Sequence, residues 1–390
     1  MFNISLLCLS FGMIIYFCVK DNNLAILIQS FSSLNFFWLI PAVLLIAGVW
    51  ALEALLYHLI VNSVYPGQYS WKEAFRVTMV GQYFSAVTPF GVAGQPMQLV
   101  ALSRQGVSSG VAVSVVVRKF LIYQTTLSLY SLGVILLKSS FFESQIHGFL
   151  PLALVGFLAQ AASVLLLFLF SVSRTFTTKL IQFFFWLLSK LRLVKRPEEK
   201  SKRVHAQLES YLNNNKSMNH NWKLSLQLYG LTFLELTVLF SVPFFLYKAY
   251  HNPGAPYFDM VSAQAFVTMI AAYTPLPGAA GTSEGSFLVL FNLFFQGETV
   301  KQAMLLWRFI TYYSTIVVGM FFARLGKKGP ELARPEEASG LGQAPEGVSE
   351  APAKRDWFLK PTGFPIHVSG PYHRKGLCVS SITIFWGLPH

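Results

Sequence analysis

Hydrophobic and polar positions in this chain fall into long apolar blocks separated by short charged stretches. Five blocks, Leu39–Val61, Val107–Leu137, Phe149–Ser171, Leu224–Tyr247 and Ala303–Ala323, exceed the roughly 18 apolar residues that predict a membrane-crossing helix. A sixth, Phe2–Val19, is shorter and partly polar. It lacks the basic start and small-residue cleavage pattern of a signal peptide and reads as a first span. Two further apolar segments, Glu73–Arg104 and Met260–Glu298, are broken in the middle. The breaks are Thr88-Pro89-Phe90-Gly91-Val92-Ala93-Gly94-Gln95-Pro96 and Thr274-Pro275-Leu276-Pro277-Gly278-Ala279-Ala280-Gly281. Backbone groups freed by Pro and Gly are costly in lipid, so such breaks belong where protein or a cavity satisfies them.

Charge orients these blocks. The 390-residue chain carries a net charge of +13 with only 12% charged residues, and its mean hydropathy is +0.50. Much of the excess lies in Ser173–Lys223, where Arg174, Lys179, Lys190, Arg192, Lys195, Arg196, Lys200, Lys202, Arg203, Lys216 and Lys223 oppose Glu198, Glu199 and Glu209. Basic loops stay cytoplasmic, and this one is also suited to rest on anionic headgroups. Counting outward from it puts the N-terminus, Lys72, Arg76, Arg104, Arg324, Lys327 and Lys328 on the cytoplasmic side. Both flanks of Glu73–Arg104 then lie inside and both flanks of Met260–Glu298 outside. The two broken segments are therefore expected to be re-entrant helical hairpins entering from opposite faces. The basic stretches abut spans and no recognition module is visible, so no nucleic acid is expected as a partner.

The fold expected is an all-α polytopic membrane protein of about six spans plus two re-entrant hairpins in an inverted-topology repeat. The repeat halves cover about 36–137 and 222–325, within a domain of residues 1–325 that includes the basic loop 173–223. Each half runs acid on a span (Glu53, Glu235), broken hairpin, then Arg on the next span (Arg118, Arg308), with a Tyr following each Arg (Tyr123, Tyr313). Paired breaks of this kind point to a transport path. From about Gly326 the composition turns to Pro, Gly, Glu, Ala and Lys, so 326–390 is expected to be a low-complexity disordered cytoplasmic tail.

Ionisable groups inside spans are functional hypotheses by default. Arg118 and Arg308 offer two readings: a bidentate grip on a lipid phosphate, or pairing with Glu53 or Glu235 that fixes packing. Glu284 opens the returning arm of the second hairpin, with Ser283 as a plausible cap. Helix starts in the hairpins offer free N–H groups to an anion, with Gln95 and Gln98 nearby. Gly91, Gly94, Gly278 and Gly281 read as geometry, permitting unusual φ and close approach. No Ser/His/Asp set, Walker-type loop or metal-ligand spacing is visible, and Cys8, Cys18 and Cys378 make no framework. No catalytic residue, metal or cofactor is expected.

The motif Gly81-Gln82-Tyr83-Phe84-Ser85-Ala86-Val87-Thr88-Pro89-Phe90-Gly91 with Gly94-Gln95-Pro96 resembles the first signature of the lysylphosphatidylglycerol synthase transmembrane (flippase-like) family. Thr274-Pro275-Leu276-Pro277-Gly278 with Gly281 and Glu284-Gly285 resembles the second. The resemblance covers roughly Met1–Leu325. In the multiple peptide resistance factors of that family this region moves aminoacylated phosphatidylglycerol to the outer leaflet, and a separate soluble domain transfers lysine from lysyl-tRNA. The resemblance thus implies a lipid translocase of the bacterial cytoplasmic (inner) membrane, and the loop charges put both termini on the cytoplasmic side. Its expected substrate is an anionic or aminoacylated phospholipid, and a separate lipid-modifying synthase is a conceivable partner. The lipid-binding positions would be Arg118, Arg308, Thr88, Pro89, Gly94, Gln95, Thr274, Pro275, Gly278 and Glu284, with Glu53 and Glu235 balancing charge. The rival readings are a phosphatidylglycerol lysyltransferase, for which the stretch after Leu325 is too short to form the transferase domain, and a non-transporting scaffold for a lipid-modifying enzyme.

Overall fold

A computed structural model describes residues 34–172, 178, 221–252, 254–272, 274, 276–297, 299–324, 329–330 and 332. The expected first span, the basic loop as far as residue 220, apart from residue 178, and nearly all of the tail lie outside them. Among the described residues there are helices and turns and no strand. We number the helices α1 (Phe36–Asn62), α2 (Trp71–Val87), α3 (Gly94–Arg104), α4 (Ser109–Gln145), α5 (Phe149–Val172), α6 (Trp222–Ala249), α7 (Tyr257–Ala271), α8 (Thr282–Phe291) and α9 (Thr299–Phe322). Five of them, α1, α4, α5, α6 and α9, are long and apolar enough to cross a membrane. They coincide with the five uninterrupted blocks of the sequence.

Helix starts follow ordinary capping chemistry. Asn35 accepts from the Phe37 amide at the start of α1 (3.0 Å) and Asn221 from the Leu224 amide at the start of α6 (3.1 Å). Ser70 and Glu73 form a reciprocal capping box on α2. The outward faces are greasy: Phe36, Phe37, Ile40, Val43 and Leu44 on α1 and Leu152, Val155, Leu158, Leu165 and Phe168 on α5 are all exposed. A helix apolar on its outer face suits lipid rather than water as its solvent.

Each broken segment folds as a helix–turn–helix. Between α2 and α3 lies a single 3-10 turn, Pro89–Gly91, and between α7 and α8 another, Pro277–Ala279. Their backbones follow the same course: an extended residue, a proline, then two residues with positive φ. The first has Thr88, Pro89, Phe90 (φ 53°) and Gly91 (φ 64°), the second Leu276, Pro277, Gly278 (φ 59°) and Ala279 (φ 52°). The conformational counterpart of Thr88–Pro89 is therefore Leu276–Pro277 rather than Thr274–Pro275, the pair that the sequence aligns. The two turns pack against each other, and the Tyr312 hydroxyl of α9 donates to the Ala86 carbonyl at the end of α2 (2.9 Å).

Apolar packing forms two cores. One gathers Leu39–Ile46 of α1, Leu127–Phe142 of α4, Leu236–Tyr250 of α6, most of α7 and α8, and the first half of α9. The other gathers Ala54–Val61 of α1, α2, α3, the first part of α4, Leu228 of α6, and Tyr313 and Ile316 of α9. On α1, α6 and α9 the stretches that join the two cores meet near Glu53, Glu235 and Thr311, and Lys119 of α4, flanked by Val116 and Ile122 of the second core, reaches this level.

Beyond the last span the chain does not leave at once. The Gly329 amide donates to the Arg104 carbonyl (2.7 Å) and the Leu332 amide to the Gly106 carbonyl (2.9 Å), so residues expected in the tail dock beside the end of α3. At the base of the first hairpin, buried Tyr69 donates to Gln105 (2.7 Å), whose amide donates to the Glu73 carbonyl (3.0 Å). Burial holds the Tyr69 phenol well above its ordinary pKa, so it remains the donor.

Small residues set the closest helix approach. A Cβ on Gly319 of α9 would meet Tyr83 Cβ at 2.8 Å and the Met79 carbonyl at 3.2 Å on α2. Gly319→Val is expected to force α9 off α2 and to cost about 1–3 kcal/mol, the usual penalty of overpacking. Denaturant unfolding of the purified protein in mixed micelles measures it, with Gly230→Val, where the added Cβ has open space, as the near-neutral control.

Candidate functional site

The polar level between the cores encloses a cavity of about 300 Å³. α1 contributes Glu53 and Tyr57, α2 Gln82 and Ser85, α3 Gln95 and Gln98, α4 Lys119 and Tyr123, α6 Glu235, and α9 Thr311 and Thr315. Lys119 Nζ lies 2.5 Å from Glu53 Oε1, and Gln82 Nε2 donates to Glu53 Oε2, also at 2.5 Å. The ammonium also sits 5.2 Å from the Tyr123 ring centroid and 5.8 Å from that of Tyr57, within cation–π range. Glu53 is 2% exposed. A buried ion pair persists only when further hydrogen bonds satisfy its atoms, which Gln82 does here.

Backbone geometry brings the first break to this cavity. Thr88 Oγ1 donates to the Phe84 carbonyl (2.6 Å) and accepts from the Ala93 amide (3.3 Å), so it repairs two groups that the break leaves open. Gly94 lies so near Ser85 that a Cβ would fall 1.9 Å from Ser85 Oγ, and a Cβ on Gly81 would fall 2.0 Å from Gln98 Nε2. These glycines let α3 close on α2 and lay Gln98 against the cavity wall. No side chain caps α3. Pro243 in α6 adds a second backbone opening: without an N–H it leaves the Leu239 carbonyl short of its helical donor, and Leu239 lines the cavity.

The second break is closed by its own charges. Arg308 Nε lies 2.7 Å from Glu284 Oε1, and Arg308 Nη2 donates to the Gly278 carbonyl (2.9 Å). Glu284 Oε2 accepts from the Gly281 amide (2.6 Å). Gly281 is the N-cap of α8, so Ser283, the cap suggested by sequence, is instead a buried residue inside the first turn. Arg308 stacks over Trp307 and Tyr312, each 5.2 Å from its guanidinium carbon. A Cβ on Gly278 would fall 2.3 Å from the Tyr312 ring. Immediately after Arg308 the helix widens into a π segment, Phe309–Tyr313, a distortion that often marks functional positions. Thr311, inside this segment, and Thr315, one turn beyond, line the cavity.

A family model described as the lysylphosphatidylglycerol synthase TM region matches residues 4–319. The chain belongs to this family. A UPF0104 membrane protein of Archaeoglobus fulgidus is 26% identical over 292 residues, covering 73% of this chain and 85% of that protein. This family member is a multi-pass membrane protein by its own helices.

Within the family fold the sequence-proposed residues separate into three groups. Glu53, Glu235 and Gln95 meet at the cavity. Arg308, Glu284 and Gly278 meet at the second turn. Arg118 joins neither: it is buried and donates to Ser225 Oγ at the start of α6 (3.0 Å). Neither arginine bonds Glu53 or Glu235. The cation that Glu53 takes is Lys119, the neighbour of Arg118, and the acid that Arg308 takes is Glu284. Adjacent helix positions point about 100° apart, so tertiary packing decides which of the two faces the cavity. Thr274 donates its amide to the Ala271 carbonyl (3.1 Å), and Pro275 lies outside the described residues. Sequence reasoning missed Lys119, Gln82, Tyr57 and Thr311; the one advance sign was that Lys119 is an ionisable residue in a span.

Lys119→Met is expected to destabilise the protein by about 3–5 kcal/mol, because it strands a buried carboxylate. Adding Glu53→Gln should return most of that loss. A double-mutant cycle in denaturant measures the coupling; additive single effects would show that the pair is not energetically linked.

Proposed function

We propose that this protein moves a phospholipid, anionic or aminoacylated, between the leaflets of the bacterial cytoplasmic membrane, with both termini cytoplasmic. The observation that carries the proposal is the charged cavity of Glu53, Lys119 and Glu235, enclosed at one level between two apolar cores. Burying three ionisable groups together is expensive, and in membrane helices such groups mark substrate or ion paths. Family membership supports a lipid context.

The two helix–turn–helix units act as re-entrant hairpins of an inverted-topology repeat. Their shared Pro–positive-φ–positive-φ turns and mutual packing support that view, as does the placement of basic loops. The hairpins divide the work. In α8 the third helical residue is Glu284, which binds the N-cap amide itself. In α3 the third helical residue is Pro96, and the uncapped helix start lies beside Gln95 and Lys119. The first hairpin is thus the one that receives a headgroup phosphate, where helix N–H groups and an ammonium both favour an anion. Thr88, Pro89 and Gly94 shape this receptor. Arg308, Glu284, Gly278, Thr274 and Pro275 form the opposing wall, and Arg118 anchors α4 to α6 behind it.

Reconstituted vesicles with fluorescent phosphatidylglycerol, lysylphosphatidylglycerol and phosphatidylethanolamine test this, with transfer read by the loss of fluorescence to a membrane-impermeant quencher. At least one lipid should cross faster than in protein-free vesicles. Lys119→Gln should slow it about tenfold or more, the worth of one charge-assisted hydrogen bond, while Arg118→Gln should slow it less. Protein-free rates for the whole panel would reject the function. An Arg118 effect larger than that of Lys119 would move the phosphate site.

A further inference from the structure

Glu235 is the group at the cavity that has no cation of its own. It stands at the middle of α6 and is 3% exposed, and its Oε2 has no hydrogen-bond partner among the described residues. The helices packed around α6 are α1, α4, α7 and α9. α1 brings Glu53 and Tyr57, α4 brings Lys119 and Tyr123, and α9 brings Thr311 and Thr315. α7 sends no residue into the cavity, and its Asp259 pairs with Lys138 of α4. Arg308 of α9 is engaged with Glu284. Lys119 is therefore the one cation lining the cavity among the described residues, and it is held by Glu53.

Two carboxylates thus share a single ammonium. A buried ionised carboxylate without its own cation is costly, and uptake of a proton is the least expensive relief. The protonated acid is also a hydrogen-bond donor, which suits a cavity rich in amide and hydroxyl oxygens.

We propose that Glu235 is a proton-binding site and that an anionic lipid crosses together with its proton; the inference rests on the lipid translocation proposed above. Hydronium in the cavity mouth gives its proton to the carboxylate oxygen, leaving water and a neutral acid, and release reverses the step. With Glu235 protonated, Glu53 and Lys119 cancel, the cavity is neutral and a phosphate can enter beside Lys119. With Glu235 ionised, the cavity carries a net negative charge that repels a phosphate. The free carboxylate then also competes with Glu53 for Lys119 and draws the ammonium from the phosphate. Loading is favoured from the acidic face and unloading toward the alkaline one.

The test uses the full chain in vesicles containing fluorescent phosphatidylglycerol, with a pH gradient imposed in either direction. Transfer away from the acidic side should start several-fold faster than transfer toward it, and Glu235→Gln should remove that difference. Equal rates under both polarities, or a difference that survives Glu235→Gln, would overturn the proposal. Infrared difference spectra of the wild-type protein stepped from alkaline to acidic buffer supply a second measurement. A protonated-carboxyl C=O band should grow in and be absent from Glu235→Gln; in Glu53→Gln, which frees Lys119 to pair with Glu235, it should grow in only in more acidic buffer. Should Glu235→Gln fail to fold, Glu235→Asp must shift this band; a band unaffected by either change, or no band at all, rejects the proton site. If phosphatidylglycerol does not move at any pH, the lipid function fails for that lipid and the infrared result alone decides the proton site.

Discussion

The structure turns on one ion pair. Lys119 and Glu53 meet on α4 and α1, and Tyr57, Gln82, Tyr123 and Glu235 line the same cavity. Desolvating such a pair costs several kcal/mol per ion, and the loss is recovered only where geometry is close and remaining atoms are satisfied. Gln82 completes Glu53, and the rings of Tyr57 and Tyr123 flank the ammonium. The pair fixes the register of α4 against α1 and holds α2 to both, leaving Glu235 of α6 as the unbalanced member of the layer.

Of the two helix breaks, the first borders that layer, where Gln95 lines the cavity. Both turns spend backbone strain on two consecutive positive-φ residues, a conformation that non-glycine residues adopt at a cost. What repairs each turn differs. Thr88 satisfies the first with its own hydroxyl, whereas Arg308 and Glu284 lock the second with charge. One hairpin is thereby left open toward the cavity and the other is sealed. Tyr312 links them by packing on Gly278 and donating to Ala86. A shift of either turn must therefore be felt by the other.

Much of this was legible in the sequence. Uninterrupted apolar blocks located the five long helices to within four residues, apart from the end of α4, which runs eight residues beyond its block. A span needs length and hydrophobicity and little else. Pro and Gly located the two breaks for the equally local reason that they cannot continue a helix. The pairing of charges was not legible. Arg118 and Lys119 are adjacent, both are ionisable and both lie in the same span, yet one faces Ser225 and the other Glu53. Likewise Glu284 is close to the second break, but its partner Arg308 arrives from another helix. The counterpart of Thr88–Pro89 is shifted to Leu276–Pro277 because the match lies in dihedral angles, which two different residue pairs adopt.

The sequence by itself determined that this is a helical membrane protein with two interrupted segments and a small set of charges buried in its spans. Those properties follow from composition and local sterics, which act within one or two helical turns. The tertiary structure alone decided that Glu53, Lys119 and Glu235 share one cavity while Arg308 and Glu284 close a turn. Which face of each helix turns inward depends on how several helices pack at once, and a single strand of sequence does not contain that angle.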